Sequence, residues 1–573
     1  MQMKRRVFVC GFCSLFLSLT VFFFAPLEVM LLNSRDFCIP FSGIWLFQLG
    51  VALGIASVLT LILVLLPRRV SGFMLSLMLG TGVAIWIQIM FLNGNMVVMT
   101  GDDMQVSSTQ TVANAAIWAV IIAGVCVAFH VLQKKKPGLA EKGAGTTAAA
   151  LTVMQAVAFV SLVLTPGLST TRSFHVFSPE GEFEISSGVN VVEFVVDMAD
   201  GTYVREMLDK YPEMSESLSG WVWYPDTTSR YSRTYPSLAY MLSGEDCRVD
   251  RLPEESADEA FAVSPYLREL HEAGTDSRIF TGDSLEIGLS ADQWIENSRD
   301  IFGGLGEMDL YQFEKHILHI SLYKCAPYIL KNLFTYDITV INVTSFRNRP
   351  FQMLPDPVFY QNLSRDGAFS VSDRYQKAYR FYHMWGVHPG ASWDDQLVED
   401  NEQNRAAMLR GSFRIIELYI EKMKHAGVYD DSLIIVTADH GISKGEGEGL
   451  RRSRAACPLL MIKYPHADNS RSLETDPTMT AHDDLFRAVQ DVLVGSGASP
   501  VGSGKAPKDF AGVQERTRLH YYTALDQRNR EDSLVEYEIR GNAECFENWK
   551  ETGNTREIKY STNPVSDHTD RNK

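Results

Sequence analysis

Five long apolar runs in the amino-terminal third constrain this chain more than any other feature, at roughly 7–24, 44–66, 73–92, 112–132 and 146–164. Each is close to the ~20 residues that an α-helix needs to cross a bilayer, and no comparable run follows. Lysine and arginine collect at alternate ends of these runs. Lys4, Arg5 and Arg6 precede the first, Arg68 and Arg69 follow the second, and Lys134, Lys135, Lys136 and Lys142 separate the fourth from the fifth. The other connections carry Asp36, Asp102 and Asp103 with one arginine, Arg35. Positive loops stay cytoplasmic, so an odd number of crossings with the amino terminus inside places everything after about Leu168 outside the cytoplasm. The first run is expected to be a retained anchor rather than a cleaved signal peptide, because it lacks a small-residue cleavage site and further spans follow.

The exported part is long enough for one large α/β domain with a substantial core. The net charge of -16 argues against nucleic acid as a partner, since phosphate backbones are bound by basic surfaces. Four of the eight cysteines, Cys247, Cys325, Cys457 and Cys545, lie beyond the spans at spacings that are neither zinc-like nor redox-like. They are expected as isolated buried thiols. Cys10 and Cys13 form a C-x-x-C inside a membrane run and carry no function.

Within "NVVEFVVDMADG" from Asn190, a β-branched run ends abruptly in acid and glycine, the pattern of a buried strand emptying into a loop. "DITVINVTSF" from Asp337 and "SLIIVTADHG" from Ser432 repeat it. Between those two, "RAAMLRGSFRIIELYIEKMKHAGVYDD" has apolar residues at helical spacing and a stop at Gly427. Buried strands alternating with amphipathic helices predict a largely parallel sheet between helices. The expected divisions are a membrane domain 1–168, a linker 169–189, a catalytic domain 190–503, a part packed on it at 504–551, and a flexible tail 552–573.

Ligands of such sheets collect beyond the carboxyl ends of the strands. Asp197 and Asp200 follow one strand, Asp439 and His440 another. Carboxylate oxygens with an imidazole suit Zn²⁺, Mn²⁺ or Mg²⁺, although aspartates after strands also serve as turn formers and helix caps. Thr234 follows the loop "YPDTTSRYSR" and opens the helical pattern "PSLAYMLSG", with Pro236 suited to a first turn. A hydroxyl at a helix amino terminus either caps the helix or, beside a cation, becomes a nucleophile toward a phosphate ester. Ser232, Ser237, Thr227 and Thr228 are rival hydroxyls. Arg452 and Arg454 have the forked geometry that clamps phosphate, or lie in a solvated loop. His482 in "TAHDD" reads as a structural residue.

Three ordered motifs, "TYPSL" from Thr234, "HMWGVHPG" from His383 and "YDDSLIIVTADHG" from Tyr429, together resemble the sulfatase and alkaline phosphatase superfamily. The likeness runs from about Asn190 to Leu493, ending in "AHDDLFRAVQDVL". With five spans ahead of the exported domain, the chain is similar to the membrane phosphotransferase branch, the lipoteichoic acid synthases and the phosphoethanolamine transferases. Threonine stands where sulfatases carry the cysteine of C-x-P-S-R, and a threonine cannot be oxidised to formylglycine. The resemblance implies an α/β sulfatase-like domain in which Asp197, Thr234, Asp439 and His440 bind one divalent metal. Mn²⁺ is the expected ion, with Mg²⁺ or Zn²⁺ as alternatives. It implies Thr234 as nucleophile and His388 as the group that meets the substrate oxygens or protonates the leaving alkoxide, with His383 in the same segment. The membrane transferases carry glutamate at the position of Asp197, and Met198 stands where a second aspartate is frequent.

The implied activity moves a phosphoglycerol-type headgroup from a phospholipid to a glycan, glycolipid or polymer acceptor, outside a bacterial cytoplasmic membrane, through a phospho-threonine. The alternatives are a phosphoethanolamine transferase, a phosphodiesterase or sulfuric ester hydrolase of the same fold, and an inactive envelope scaffold.

Overall fold

The computed structural model describes residues 2–34, 37, 39, 41–93, 104, 106–165, 175–251, 253–281, 293–300, 308–336, 338–347, 355–400, 402, 404–444, 447–525 and 531–558. Arg35, Asp36, Asp102, Asp103, Leu168, Asp337 and the end of the expected tail lie outside the described residues. The chain forms two compact units, Met1–Phe174 with Ile301–Arg349, and His175–Asp300 with Pro350–Lys573.

In the first unit, five helices are long and apolar enough to cross a membrane: Lys4–Leu32, Phe41–Leu65, Arg68–Leu92, Ser108–Lys135 and Gly138–Val163. They coincide with the five apolar runs to within a residue at the carboxyl ends of the second and fifth. Val9, Cys13, Phe16, Leu75, Leu79 and Ala144 meet in a buried cluster, while Leu46, Leu53, Leu61, Val120 and Val157 stay exposed, as lipid-facing positions would. The unit also takes in Ile301–Arg349, a stretch that the linear division had inside 190–503. Here the expected strand "DITVINVTSF" is corrected: Ile338–Thr344 is a helix. Ile338 and Ile341, three apart, are both buried while Val340 is exposed, the face pattern of a helix rather than the alternation of a strand.

The second unit is built on a seven-stranded sheet in the order Glu474–Thr475, Val222–Trp223, Leu460–Lys463, Leu433–Thr437, Val189–Val196, Lys377–Met384, Thr275–Phe280. The last four strands are mutually parallel, and Leu460–Lys463 runs antiparallel to both neighbours. The fold is the one expected: membrane-length helices, then an α/β domain whose sheet is largely parallel. Strands Thr275–Phe280 and Lys377–Met384, hidden in "TDSRIF" and "KAYRFYHM", supply what the misread segment does not. Register explains part of the core. Phe194, Tyr382 and Phe280 are directly paired across three strands, so their rings fall on one face and stack at 5.2 and 5.1 Å. Tyr419, from the helix Arg405–His425, covers that ladder edge-on to Phe194. The helix ends where Gly427 takes a φ of 73°, open to glycine at no steric cost.

The stretch 169–189 contains the short strands His175–Phe177 and Glu184–Ser186. At the other end, Thr517–Leu525, Glu531–Arg540 and Trp549–Glu557 form an antiparallel sheet, so ordered structure runs past residue 551.

Candidate active site

The parallel strands place their carboxyl ends at one edge of the sheet, and the chemistry-bearing residues follow from that. Val195 pairs with Thr437 on one side and with His383 on the other. Asp197 lies two residues beyond Val195 and Asp439 two beyond Thr437, so Asp439, Asp197 and His383 come from three adjacent strands at the same edge. Their ligand atoms all lie within 4.8 Å of one another. Each is buried, at 3% exposure for Asp197, 0% for Asp439 and 6% for His383. His383 Nε2 is 3.8 Å from Asp197 Oδ2.

Among the described residues, three buried atoms here have no hydrogen-bond partner: Asp197 Oδ1, Asp439 Oδ2 and His383 Nε2. Orphaned buried acceptors are costly, and two carboxylates facing an imidazole lone pair are a donor set that a divalent cation satisfies. The residues therefore fit a metal ion. Electrostatics agree with this reading: burial, and then the facing Asp439, push the Asp197 carboxyl well above its usual range. Burial also works to raise Asp439, but the charges that His440 and His383 carry when protonated, with the Met198 N–H and the Thr234 hydroxyl, outweigh it and hold that carboxyl below its ordinary value. Burial brings the His383 imidazole down to about 4, so it stays neutral, as a ligand must. Its Nδ1 lies 3.2 Å from the Thr281 hydroxyl.

Met198 has a φ of 60°, the left-handed region that costs an ordinary side chain energy. That turn aims its backbone N–H at Asp439 Oδ1, 3.2 Å away. The position where a second aspartate was considered thus contributes its backbone. Asp200 does not join the cluster either. It caps the helix Gly201–Lys210 by accepting from Thr202 N and Tyr203 N and receives Arg454 Nη2 at 2.6 Å.

Thr234 is the first residue of the helix Thr234–Ser243, and Arg233 precedes it without a side-chain cap. The Thr234 hydroxyl lies 3.4 Å from His440 Nε2. His440 Nδ1 donates to the Gly441 carbonyl at 2.7 Å, which turns Nε2 toward Thr234 and toward Asp439 Oδ2, 3.4 Å away. The structure thus brings together Asp197, Thr234, Asp439 and His440, and adds His383, which the sequence left as a possibility. His388 sits half-buried on the loop after the strand Lys377–Met384, its Nδ1 donating to Pro389 O at 2.7 Å. Burial lowers its pKa, and its charge interacts with Asp439 and His440.

That loop is tied down on several sides. Val387 N donates to Asp197 O at 3.0 Å and Asp197 N to Met384 O at 3.2 Å. Arg405 Nη1 donates to the carbonyls of Val387 and His388 at 2.8 and 3.1 Å. Asp356, raised to about 7 by burial, accepts from the Ser412 hydroxyl and from Gly386 N. Sequence gave no signal for Asp356 or Ser412, because both act through tertiary contacts.

The remaining candidates have structural duties. Ser232 donates to Thr523 Oγ1 at 3.3 Å, and Thr227 shares a hydroxyl bond with Thr480 at 2.7 Å. Thr228 Oγ1 reaches Thr480 O. His482 Nε2 donates to Ala438 O at 3.0 Å, supporting the residue before Asp439. Arg452 lies on the helix Glu448–Ala456, paired with Glu448 and Tyr537. Cys247, Cys325 and Cys457 are buried free thiols and Cys545 is half-buried and free.

The buried carboxylates of Asp197 and Asp439 and the His383 imidazole at the parallel sheet's edge could hold a metal ion, and the helix-terminal Thr234 hydroxyl lies beside His440. No protein-family model and no curated protein matches the chain. Solved structures similar to it include the lipoteichoic acid synthase LtaP of Listeria monocytogenes, at 12% identity and a TM-score of 0.35 over 65% of this chain and 88% of that one. The C-terminal periplasmic domain of EptC of Escherichia coli is similar at 14% identity and a TM-score of 0.33, over 59% and 91%. A protein in the alkaline phosphatase superfamily from Vibrio parahaemolyticus is similar at 10% identity and a TM-score of 0.34, over 68% and 85%.

Proposed function

We propose that this protein is a membrane-anchored, metal-dependent phosphotransferase that moves a phosphoglycerol-type headgroup from a phospholipid to a cell-envelope acceptor, with Thr234 as nucleophile. The observation that carries this reading is the Thr234 hydroxyl 3.4 Å from His440 Nε2, beside the orphaned atoms of Asp197, His383 and Asp439. The five membrane-length helices support a lipid donor, because they confine the enzyme to the surface where that donor lies.

Asp197, Asp439 and His440 would hold the ion with the Thr234 oxygen, and His383 completes the set. When bound, the ion supplies Lewis-acid polarisation of the phosphoryl group and a lowered pKa for the hydroxyl. Mn²⁺ is the ion we assign, with Mg²⁺ and Zn²⁺ as the tested alternatives. The Thr234 hydroxyl would give up its proton to solvent, its Oγ1 would attack phosphorus, the P–O bond to diacylglycerol would break, and the leaving alkoxide would take up a proton. His388 Nε2 would carry that proton, its Nδ1 donating to Pro389 O. In the second half-reaction an acceptor hydroxyl would lose its proton to His388 and attack phosphorus, the Thr234 Oγ1–P bond would break, and Thr234 Oγ1 would take up a proton again. The N–H groups at the amino end of Thr234–Ser243 favour the anionic phosphoryl oxygens throughout.

The test is to incubate the full-length protein with Mn²⁺ and phosphatidylglycerol or phosphatidylethanolamine, then search for an adduct on Thr234 by peptide mass spectrometry, with Thr234→Ala as control. A glycerophosphate mass on Thr234 supports the proposal. A phosphoethanolamine mass reassigns the donor, release of the headgroup to water makes the protein a hydrolase, and no lipid turnover under any metal overturns the reading in favour of a scaffold.

A further inference from the structure

Half of the exposed large apolar side chains beyond Leu164, among the described residues, fall within Leu310–Val340: Leu310, Tyr311, Leu318, Ile329, Leu330, Leu333 and Val340. The densest group is Ile329, Leu330 and Leu333, at 65, 43 and 69% exposure. An apolar cluster of this kind on a soluble surface marks a binding site or an aggregation hazard, so what covers it matters.

The segment's own contacts locate it. Its main helix, Leu310–Cys325, buries Phe313, Ile317 and Ile320, one stripe at helical spacing. Cys325 packs with Val21, Ala25 and Ile85 of the first and third apolar helices. The Ser321 hydroxyl donates to Val21 O, within the π-helical turn Thr20–Phe24. Lys324 pairs with Glu28 at 2.9 Å, and its carbonyl accepts from Asn93 Nδ2 at 2.9 Å. Tyr328 N donates to Asn114 Oδ1 at 3.0 Å, and the Tyr328 hydroxyl to Leu92 O. Glu28, Leu92, Asn93 and Asn114 all belong to the ends opposite the Lys/Arg clusters at 4–6, 68–69 and 134–142.

Depth follows from helix geometry. The fourth apolar helix, Ser108–Lys135, has 28 residues and is therefore about 42 Å long, against a hydrocarbon core of about 30 Å. Asn114 is about 9 Å from its start, near the boundary between hydrocarbon and headgroups. Tyr328 is bonded to Asn114, so Ile329 and Leu330, next in the chain, lie at that boundary, and Leu333 lies within a few residues. A tyrosine at headgroup level beside apolar side chains and a lysine such as Lys315, exposed on the main helix, is the composition of interfacial segments.

We infer that Met308–Phe346 is an interfacial anchor, whose Ile329, Leu330 and Leu333 insert into the lipid leaflet on the side opposite the positive loops. The chain leaves the second unit after Asp300 and returns at Pro350, so the segment ties the catalytic half of the chain to the bilayer by two further covalent connections. The inference rests on the five helices crossing a membrane and not on the chemistry at Thr234.

The test uses the full-length protein in lipid vesicles. Leu333→Cys and, separately, Ile329→Cys are labelled with an environment-sensitive nitrobenzoxadiazole dye. Ser470→Cys, an exposed site on the second unit, serves as control, and the labelled unsubstituted protein sets the background. Both anchor sites are expected to show blue-shifted emission, loss of fluorescence with lipids spin-labelled near the headgroup, and protection from aqueous iodide, all absent at the control. Iodide quenching equal to the control at both sites overturns the anchor. Protection from iodide without quenching by spin-labelled lipid also overturns it, in favour of contact between two copies of the chain. Neither result requires turnover, so failure here is distinct from failure of the phosphotransferase reading.

Discussion

The hydroxyl of Ser237 donates to the main-chain carbonyl of Asp439 at 2.7 Å, joining the helix that begins with Thr234 to the strand end that carries Asp439 and His440. Ser237 is fully buried, so this bond sets how far the Thr234 hydroxyl stands from the acid cluster. Ser237→Ala is expected to cost about 1–3 kcal/mol of stability for the carbonyl left unpaired. It should lower turnover roughly ten- to hundredfold through misplacement of the Thr234 hydroxyl, the proposed nucleophile. Denaturant unfolding and lipid-turnover kinetics on the same preparation check both.

The structure adds His383 to the candidate ligands. Removing the imidazole in His383→Ala should weaken divalent metal binding by at least about tenfold, measured by elemental analysis after dialysis against a metal buffer. Asp200→Asn is the counterpart: it loosens the bond to Arg454 and the helix cap, and should lower stability while metal content stays at the level of the unsubstituted protein.

Gly386 has a φ of 59°, and a Cβ there would stand 2.7 Å from Asp197 N and 2.8 Å from Asp197 O. No flexible side chain can yield, because both atoms are backbone. Gly386→Ala should destabilise by roughly 1–3 kcal/mol or more and lower metal content together with the melting temperature, whereas Gly390→Ala, with nothing within 4 Å of the added atom, should leave metal content unchanged.

Burial takes the His520 imidazole down to about 4 from an ordinary 6.5, while its Nδ1 donates to Ser229 O at 2.8 Å. The folded state therefore binds fewer protons than the unfolded state between those values, so stability is fully present above pH 6.5 and falls as pH drops toward 4. His520→Asn, which keeps a donor for Ser229 and does not titrate, should flatten that acid limb. The difference between the two unfolding curves is the measurement, since Glu193 and Asp356, each pushed up to about 7 by burial, slope the other way in both proteins.

Much of the site was legible because its residues sit at strand and helix ends, where local pattern changes abruptly. Asp197 and Asp439 follow β-branched runs, and Thr234 precedes a proline in the first helical turn, so motif and periodicity coincide. His383 was harder to read. It lies inside "KAYRFYHM", a strand whose arginine and aromatics hide its apolar alternation, and its partners are 186 and 56 residues away in sequence. The short apolar run 338–344 was misread because β-branched residues are equally at home on the buried face of a short helix when a docking surface exists.

By itself the sequence determined that five helices of membrane length precede an acidic α/β domain, and that a threonine, two aspartates and a histidine stand at its punctuation points. These are local properties: run length, charge spacing, and the residue that follows a strand. Only the tertiary structure decided that Leu433–Thr437, Val189–Val196 and Lys377–Met384 lie side by side. That order brings Asp439, Asp197 and His383 to one edge. Tertiary contacts likewise assigned Ile301–Arg349 to the apolar helices. Both depend on which distant surfaces bury each other, and burial between distant segments is a property of the folded chain as a whole.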